Sequence, residues 1–286
     1  MRKWKLAFLA GLGYASKKPR EVVDSLKKLG YEGVEWTDAH FNPDRPVAEL
    51  RELVRQTRDG GLEVSRVTTS VDLVCLNDGE RRKRIERLMR TIEAAGLCGV
   101  GIVGLQTGPF VWDGGAPRVG GNISESAAWA QVLEAYQVLT PVARANRVVT
   151  ATEGIFGTLT HDFYTHKFLM DQLDPTVHKV NLDPSHGILY GNLDVGWVVR
   201  QWGKRIAHVH LKDAVGIPEP GKFLFPMLGE GRVDWKAFFQ ALDDMGYDGF
   251  CSVEFESFAY YQNVMKGDIE AAARISMEQV KALAGA

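Results

Sequence analysis

Short β-rich runs alternate with helical patterns along this sequence, and the alternation repeats eight times. The runs fall at 5–11 (KLAFLAG), 32–37 (EGVEWT), 63–69 (EVSRVTT), 99–105 (GVGIVGL), 147–153 (RVVTATE), 178–183 (HKVNLD), 206–211 (IAHVHL) and 249–255 (GFCSVEF). Between them apolar residues recur at spacings of three and four, as in Val22, Val23, Leu26, Leu29, in Ile85, Leu88, Met89, Ile92 and in Phe238, Phe239, Leu242. Each connecting segment therefore offers one apolar stripe to pack on a sheet. Gly30, Gly60-Gly61, Gly96 and Gly246 stand where these helices should stop. Repeated strand–helix units dictate a parallel sheet, and eight of them predict an α/β fold, a single (β/α)8 TIM barrel over residues 1–286. A doubly wound open sheet is the alternative, but it usually has fewer strands and often a phosphate-binding glycine turn after the first. Gly11-Leu12-Gly13 is too short for that turn. The glycine-rich stretch 114–121 reads as a long loop at the active-site end, and no linker is visible.

Charge and cysteine content narrow the function. Lys and Arg number 34 against 36 Asp and Glu, a formal charge of −2, which argues against a nucleic-acid partner. The densest basic run, Arg81-Arg82-Lys83-Arg84, opens an amphipathic helix and reads as its solvated face. Three cysteines at unrelated spacings argue against a disulfide framework or a cysteine zinc site and suit a reducing cytoplasm. Met1 to Lys5 followed by Leu6 to Ala15 has the outline of a signal peptide, but the barrel needs those residues as its first strand. No other segment approaches the roughly 20 apolar residues of a membrane span.

In a barrel of this kind catalytic groups project from the C-terminal ends of strands, so charge late in a strand is the informative feature. Four strands in succession carry it: TATEG ends the fifth, NLDPSH the sixth, HVHLKD the seventh and SVEFES the eighth. Taken singly, a late Asp can cap the next helix, a Glu can pair with a Lys, and a His can be a satisfied core residue. Four adjacent strands with the same feature point instead to a shared site, because charge buried at a barrel mouth is costly unless paired or metal-bound. Three carboxylates and one imidazole suit Mn²⁺, Mg²⁺ or Co²⁺ and do not exclude Zn²⁺. His208 and His210 share strand parity, as do Glu254 and Glu256, so parity alone leaves each pair open.

The run NLDPSHGILYGNLDVGWVVRQWGKRIAHVHLKDA, with ATEG before it and GYDGFCSVEFES after it, resembles the xylose isomerase-like TIM barrel superfamily of sugar phosphate isomerases and epimerases. Ketose 3-epimerases and inosose dehydratases are the relatives it looks like, with the endonuclease IV class more distant. The resemblance implies one divalent metal ion, Mn²⁺ foremost, held by Glu153, Asp183, His210 and Glu254, with Glu153 and Glu254 also acting as catalytic base and acid. It implies substrate contact for His186, and Lys212 stands where it could neutralise an enolate or a ligand carboxylate. Trp36, Phe110 and Trp112 are expected to line the pocket. Asp234, in the stretch Gly229 to Trp235 that also resembles the family, is expected to cap the seventh helix. The relatives imply a small-molecule sugar substrate and a homodimer or homotetramer.

The expected activity is proton transfer on a keto-sugar or polyol through an enediolate, giving epimerisation or isomerisation. Loss of a hydroxyl or glycosyl group from an oxidised sugar, a lyase outcome, is the runner-up. One departure weakens a strict ketohexose 3-epimerase: Leu159 stands where those enzymes carry a further glutamate. A repair endonuclease would need more histidine ligands, and the ends of strands two to four offer Trp36, Thr69 and Gln106. A non-catalytic sugar-binding barrel is the remaining alternative.

Overall fold

The computed structural model describes residues 3–285. In chain order its strands are β1 (Lys5–Leu9), β2 (Gly33–Trp36), β3 (Glu63–Thr68), β4 (Ile102–Leu105), β5 (Val149–Glu153), β6 (His178–Leu182), β7 (Ile206–Leu211), the short β8 (Val215–Gly216) and β9 (Phe223–Leu224), and β10 (Phe250–Val253). All but β8 and β9 are parallel, and they close into a ring in which β1 bonds to both β2 and β10. The helices are α1 (Pro19–Leu29), α2 (Val47–Asp59), α3 (Asp78–Leu97), α4 (Glu125–Ala145), α5 (Phe163–Met170), α6 (Pro184–Leu189), α7 (Val195–Trp202), α8 (Trp235–Asp244), α9 (Phe258–Asn263) and α10 (Ile269–Leu283). The eight-fold alternation is thus realised as a (β/α)8 barrel, with all eight expected strands in place.

Closure explains the strand sequences. Helices cover the outside, so side chains of one parity meet helices while the other parity fills the barrel. On β5 the Thr152 hydroxyl lies 2.6 Å from that of Tyr136 on α4, which turns its neighbour Glu153 inward. The α1 stripe Val22, Val23 and Leu26 is buried against the sheet. Burying each such side chain contributes about 1.5–3 kcal/mol. The basic run on α3 is ion-paired at the surface, Arg81 with Glu134 and Lys83 with Glu80.

Seven of the eight expected strand ranges are trimmed by one to three residues at an end, and the largest of these shifts, with one displaced helix stop, has a local cause. The fourth strand begins at Ile102 instead of 99, because Gly99 sits at φ 70°, in the left-handed turn between helix and strand. Gly96 is inside α3 and does not end it. A Cβ there would meet the Asn146 carbonyl oxygen at 2.7 Å, so its glycine serves close packing.

The loops at the C-terminal rim are the least regular parts. The segment after Asp213 contains the β8–β9 hairpin, which no periodicity in the sequence announces. The buried Asp213 carboxylate anchors it, accepting from the backbone N–H groups of Ala214, Gly229, Gly231 and Val233 and from the Trp235 indole, all at 2.9–3.1 Å. Gly231 must be glycine for this closure, since a Cβ would stand 2.0 Å from Asp213 Oδ1. Asp234 caps α8 as expected, accepting from Ala237 N at 2.9 Å. Among the described residues no helix is long and apolar enough to cross a membrane.

Candidate active site

Closure of the barrel carries the late-strand charges to one point. Glu153 ends β5, Asp183 follows β6, His210 is the fifth residue of β7, and Glu254 follows β10. One ligand atom from each of Glu153, Asp183, His186 and Glu254 lies within 4.8 Å of the others. His210 Nδ1 faces the same group, 3.2 Å from Glu153 Oε1 and 3.2 Å from Glu254 Oε2. The four residues singled out in the sequence are therefore neighbours, and His186 joins them. It is placed by the first turn of α6, which Asp183 itself caps through Ser185 N at 2.8 Å.

Lys212 is the hub of the mouth. Its ammonium donates to Glu254 in a very short contact and to Glu256 at 3.0 Å. It also lies 3.1 Å from both Asp183 Oδ2 and His186 Nε2. Glu256 is thus beside Glu254 but reaches the cluster only through Lys212. His208 sits deeper, with Nδ1 2.8 Å from Asn181 Oδ1.

Beneath this group lies a second set that the sequence analysis passed over. Arg66 on β3 pairs with Glu35 on β2 at 2.7 Å, both almost fully buried. The same guanidinium reaches His210 Nε2 at 2.9 Å and Glu153 Oε2 at 3.6 Å. His210 therefore bridges two clusters, with Nε2 3.1 Å from Glu35 Oε2. A signal existed: Glu35 and Arg66 are charged residues inside strands, each with apolar or small residues on either side, whereas Glu63 stands at the exposed start of β3.

These contacts set the protonation states. Burial opposes ionisation of Glu153, but His210, His186 and Arg66 outweigh it and hold the carboxyl well below the usual range. Glu254 is likewise opposed by burial, yet Lys212 and His210 bring it down to about 2. Burial works against charge on Lys212, and the surrounding carboxylates Asp183, Glu254 and Glu256 override it and raise its pKa. Burial, reinforced by Glu254, raises Glu256 despite Lys212. The site thus holds two ionised glutamates, a firmly cationic lysine and one carboxyl biased towards its protonated form.

A divalent cation fits the residues present. Five carboxyls (Glu35, Glu153, Asp183, Glu254, Glu256) converge on two fixed cations, Arg66 and Lys212, and on three imidazoles, His186, His208 and His210, of which any that bind a metal do so in the neutral form. That leaves an excess of acid in a buried site, which a cation would neutralise. Asp183 Oδ2 is buried and accepts no well-directed hydrogen bond, although the Lys212 ammonium lies 3.1 Å away. His186 Nδ1 is buried and unpartnered as well. Carboxylate oxygens with imidazole nitrogen suit Mn²⁺, Mg²⁺, Co²⁺ or Zn²⁺.

Above the cluster opens a cavity of about 930 Å³, with Glu153, His186, Lys212, Glu254 and Glu256 among its lining residues. Phe110 and Trp112 line it as expected, their rings stacked at 5.1 Å. Trp36 does not. It follows the inward-facing Glu35, so it points outward, fully buried, with its indole N–H donating to Thr57 of α2 at 3.1 Å. Leu159 is buried in the core and brings no carboxylate to the pocket.

Comparison with known proteins agrees with this fold. Inosose dehydratase of Clostridium perfringens is 26% identical over 159 residues, 50% of this chain and 52% of that protein, so the chain spans about half the length of the relative it matches. Two solved structures share the fold: D-psicose 3-epimerase of Clostridium cellulolyticum H10 (TM-score 0.77, 17% identity, 98% of this chain and 99% of that one) and the 3-keto-D-glucoside 4-epimerase of E. coli (TM-score 0.74, 16% identity, 98% and 100%). At those identities the likeness concerns the fold alone. The family description "xylose isomerase-like TIM barrel" matches residues 23–283. With a closed eight-stranded barrel and nearly the whole chain matched, this protein belongs to the xylose isomerase-like TIM barrel family.

Proposed function

We propose that this chain is a divalent-metal-dependent enzyme that moves a proton on the carbon next to the carbonyl of a keto-sugar or of a polyol in its oxidised, keto form, with isomerisation or epimerisation as the outcome. The observation that carries this reading is the convergence of Glu153, Asp183, His186 and Glu254 within 4.8 Å on the floor of a cavity large enough for a sugar. Glu153, Asp183, His210 and Glu254 would hold the ion, Mn²⁺ foremost. When bound, such an ion supplies positive charge against the negative charge that develops on a substrate oxygen as the neighbouring C–H proton leaves.

The side chains do the rest. Glu153, ionised, serves as the base that takes the proton, and Glu254, ionised at rest, serves as the acid only after it has itself taken up a proton from water, so that one proton is stored on Glu153 as another is delivered from Glu254. His186 orients a substrate hydroxyl at the cavity floor. The Lys212 ammonium stabilises the enediolate oxygen while keeping Glu254 charged. Arg66, bonded to Glu35, fixes His210 and shields Glu153 from beneath. Phe110 and Trp112 supply a flat apolar surface for the substrate.

A lyase reading has its own support. Glu256, raised by burial and touching Lys212, can give a proton to a departing hydroxyl, and Glu256 itself has no task in simple epimerisation. Leu159 points the same way, because it removes a second substrate-facing glutamate. The test is incubation of the Mn²⁺-loaded protein with ketoses, inosose and 3-oxo-glucosides in D₂O, followed by NMR. Deuterium entering recovered substrate or its epimer supports isomerisation, and an unsaturated product supports elimination. No exchange and no product with any of them defeats the proposal.

A further inference from the structure

The cavity is larger and more apolar than a monosaccharide needs. Its volume of about 930 Å³ lies near the top of the roughly 300–1,000 Å³ occupied by drug-sized ligands. Thr37, Thr68, Ser70 and Gln106 add polar side chains at the ends of β2 to β4, and the charged groups able to fix a keto-sugar gather around His186, Lys212 and Glu254. From there a continuous wall of aromatic rings leads outward. Phe225 presents its face 4.8 Å from the Lys212 ammonium, and its centroid is 6.0 Å from that of Phe156. Phe156 lies 5.7 Å over the His186 ring and 4.7 Å from Phe223, and 5.4 Å beyond it is Trp112, stacked on Phe110. At the rim Trp112 is 55% exposed, so a large ring meant for a contact faces water. This wall spans more than one sugar ring.

We propose that the outer half of the cavity is a subsite for a flat aromatic group attached to the sugar, so that the substrate is an aryl glycoside of the keto-sugar with its aglycone laid against the wall that Trp112 and Phe156 form together. The inference rests on the keto-sugar reading of the cavity floor. Phe110 and Trp112 then serve the aglycone and not the sugar, while His186 and Lys212 hold the oxidised ring. An aryl aglycone suits the wall better than a second sugar, because a second sugar brings hydroxyls and the stretch from Phe156 to Trp112 presents mainly ring faces, with Asp113 the acidic residue next to Trp112 in the chain.

Calorimetric titration of the metal-loaded full chain tests this, with methyl and 2-naphthyl 3-oxo-β-D-glucosides and a 3-oxo disaccharide as probes. The naphthyl glycoside should bind at least about tenfold more tightly than the methyl glycoside, and Trp112→Ala should bring the ratio within about threefold. Trp112 is exposed, so this variant is expected to fold, and Trp112→Phe should keep most of the ratio. Equal affinities for the methyl and naphthyl probes, tighter binding of the disaccharide, or no binding of any probe overturns the subsite. Naphthyl binding without any deuterium exchange in D₂O would sustain the subsite and refute the proton-transfer reading instead, so the two failures are distinguishable.

Discussion

Replacing Arg66 by Met would leave Glu35 and Glu153 ionised in the barrel interior with their guanidinium partner gone. Arg66 Nε lies 2.8 Å from Glu35 Oε1, and both side chains are at most 1% exposed, so water cannot take its place. Breaking one side of a buried charge pair costs about 3–5 kcal/mol. For a chain of this length, that corresponds to a fall in Tm of roughly 5 to 8 °C. Glu35→Gln should cost less, about 2–3 kcal/mol, because Arg66 keeps Glu153 within reach. The double variant Glu35→Gln/Arg66→Met should lose less than the sum of the two, with a coupling of at least about 2 kcal/mol. Urea denaturation of the metal-free protein and its three variants at pH 7 measures each quantity. Strict additivity, or an Arg66→Met loss below about 1 kcal/mol, would refute the claim that this pair holds the barrel interior together.

Three further outcomes follow from the same contacts. Lys212→Met removes a cation that competes with a metal ion for Asp183 and Glu254; Mn²⁺ affinity should rise at least about tenfold while turnover falls at least about a hundredfold, and weaker Mn²⁺ binding in calorimetry would count against that competition. His166 and His178 are held neutral by burial, to about 3 and about 4, so the unfolded chain takes up protons at these sites first as pH falls. Their stabilisation is complete above about 6.5 and declines from there towards pH 4, by about 2 kcal/mol per histidine at pH 5; His210, shifted the opposite way, adds slope only above 6.5. Equal denaturation midpoints at pH 6.5 and 5 would contradict this. Asp213→Ala orphans five donors and should cost about 3 kcal/mol or more, with faster proteolysis between residues 214 and 230; an unchanged cleavage rate would show that other contacts hold the loop.

The barrel was legible because βα repetition and helical stripes are local signals, and so was the upper part of the site, because strand C-termini converge in any such barrel. Glu35 and Arg66 escaped that rule: both stand mid-strand, 31 residues apart, and only ring closure makes them partners. Trp36 was misplaced because aromatic character near a strand end says nothing of side. Its parity is opposite to that of Glu35, and a buried inward glutamate settles which of the two faces the barrel. Gly96 carried the composition of a helix stop, yet the turn falls at Gly99, because what matters at Gly96 is the approach of Asn146 from the next unit. The β8–β9 hairpin has two residues per strand, too few to show alternation, and depends on Asp213 gathering donors from up to 22 residues away.

The claim beneath the functional account is that a divalent ion is gripped by side chains from the last four strands of the barrel. Mn²⁺ titration and turnover of Glu153→Gln and Glu254→Gln beside the parent protein test it most directly. The account predicts one ion per chain in the parent, with affinity at least about a hundredfold weaker and turnover nearly abolished in each variant. Variants that keep the parent's ion and its rate would contradict it.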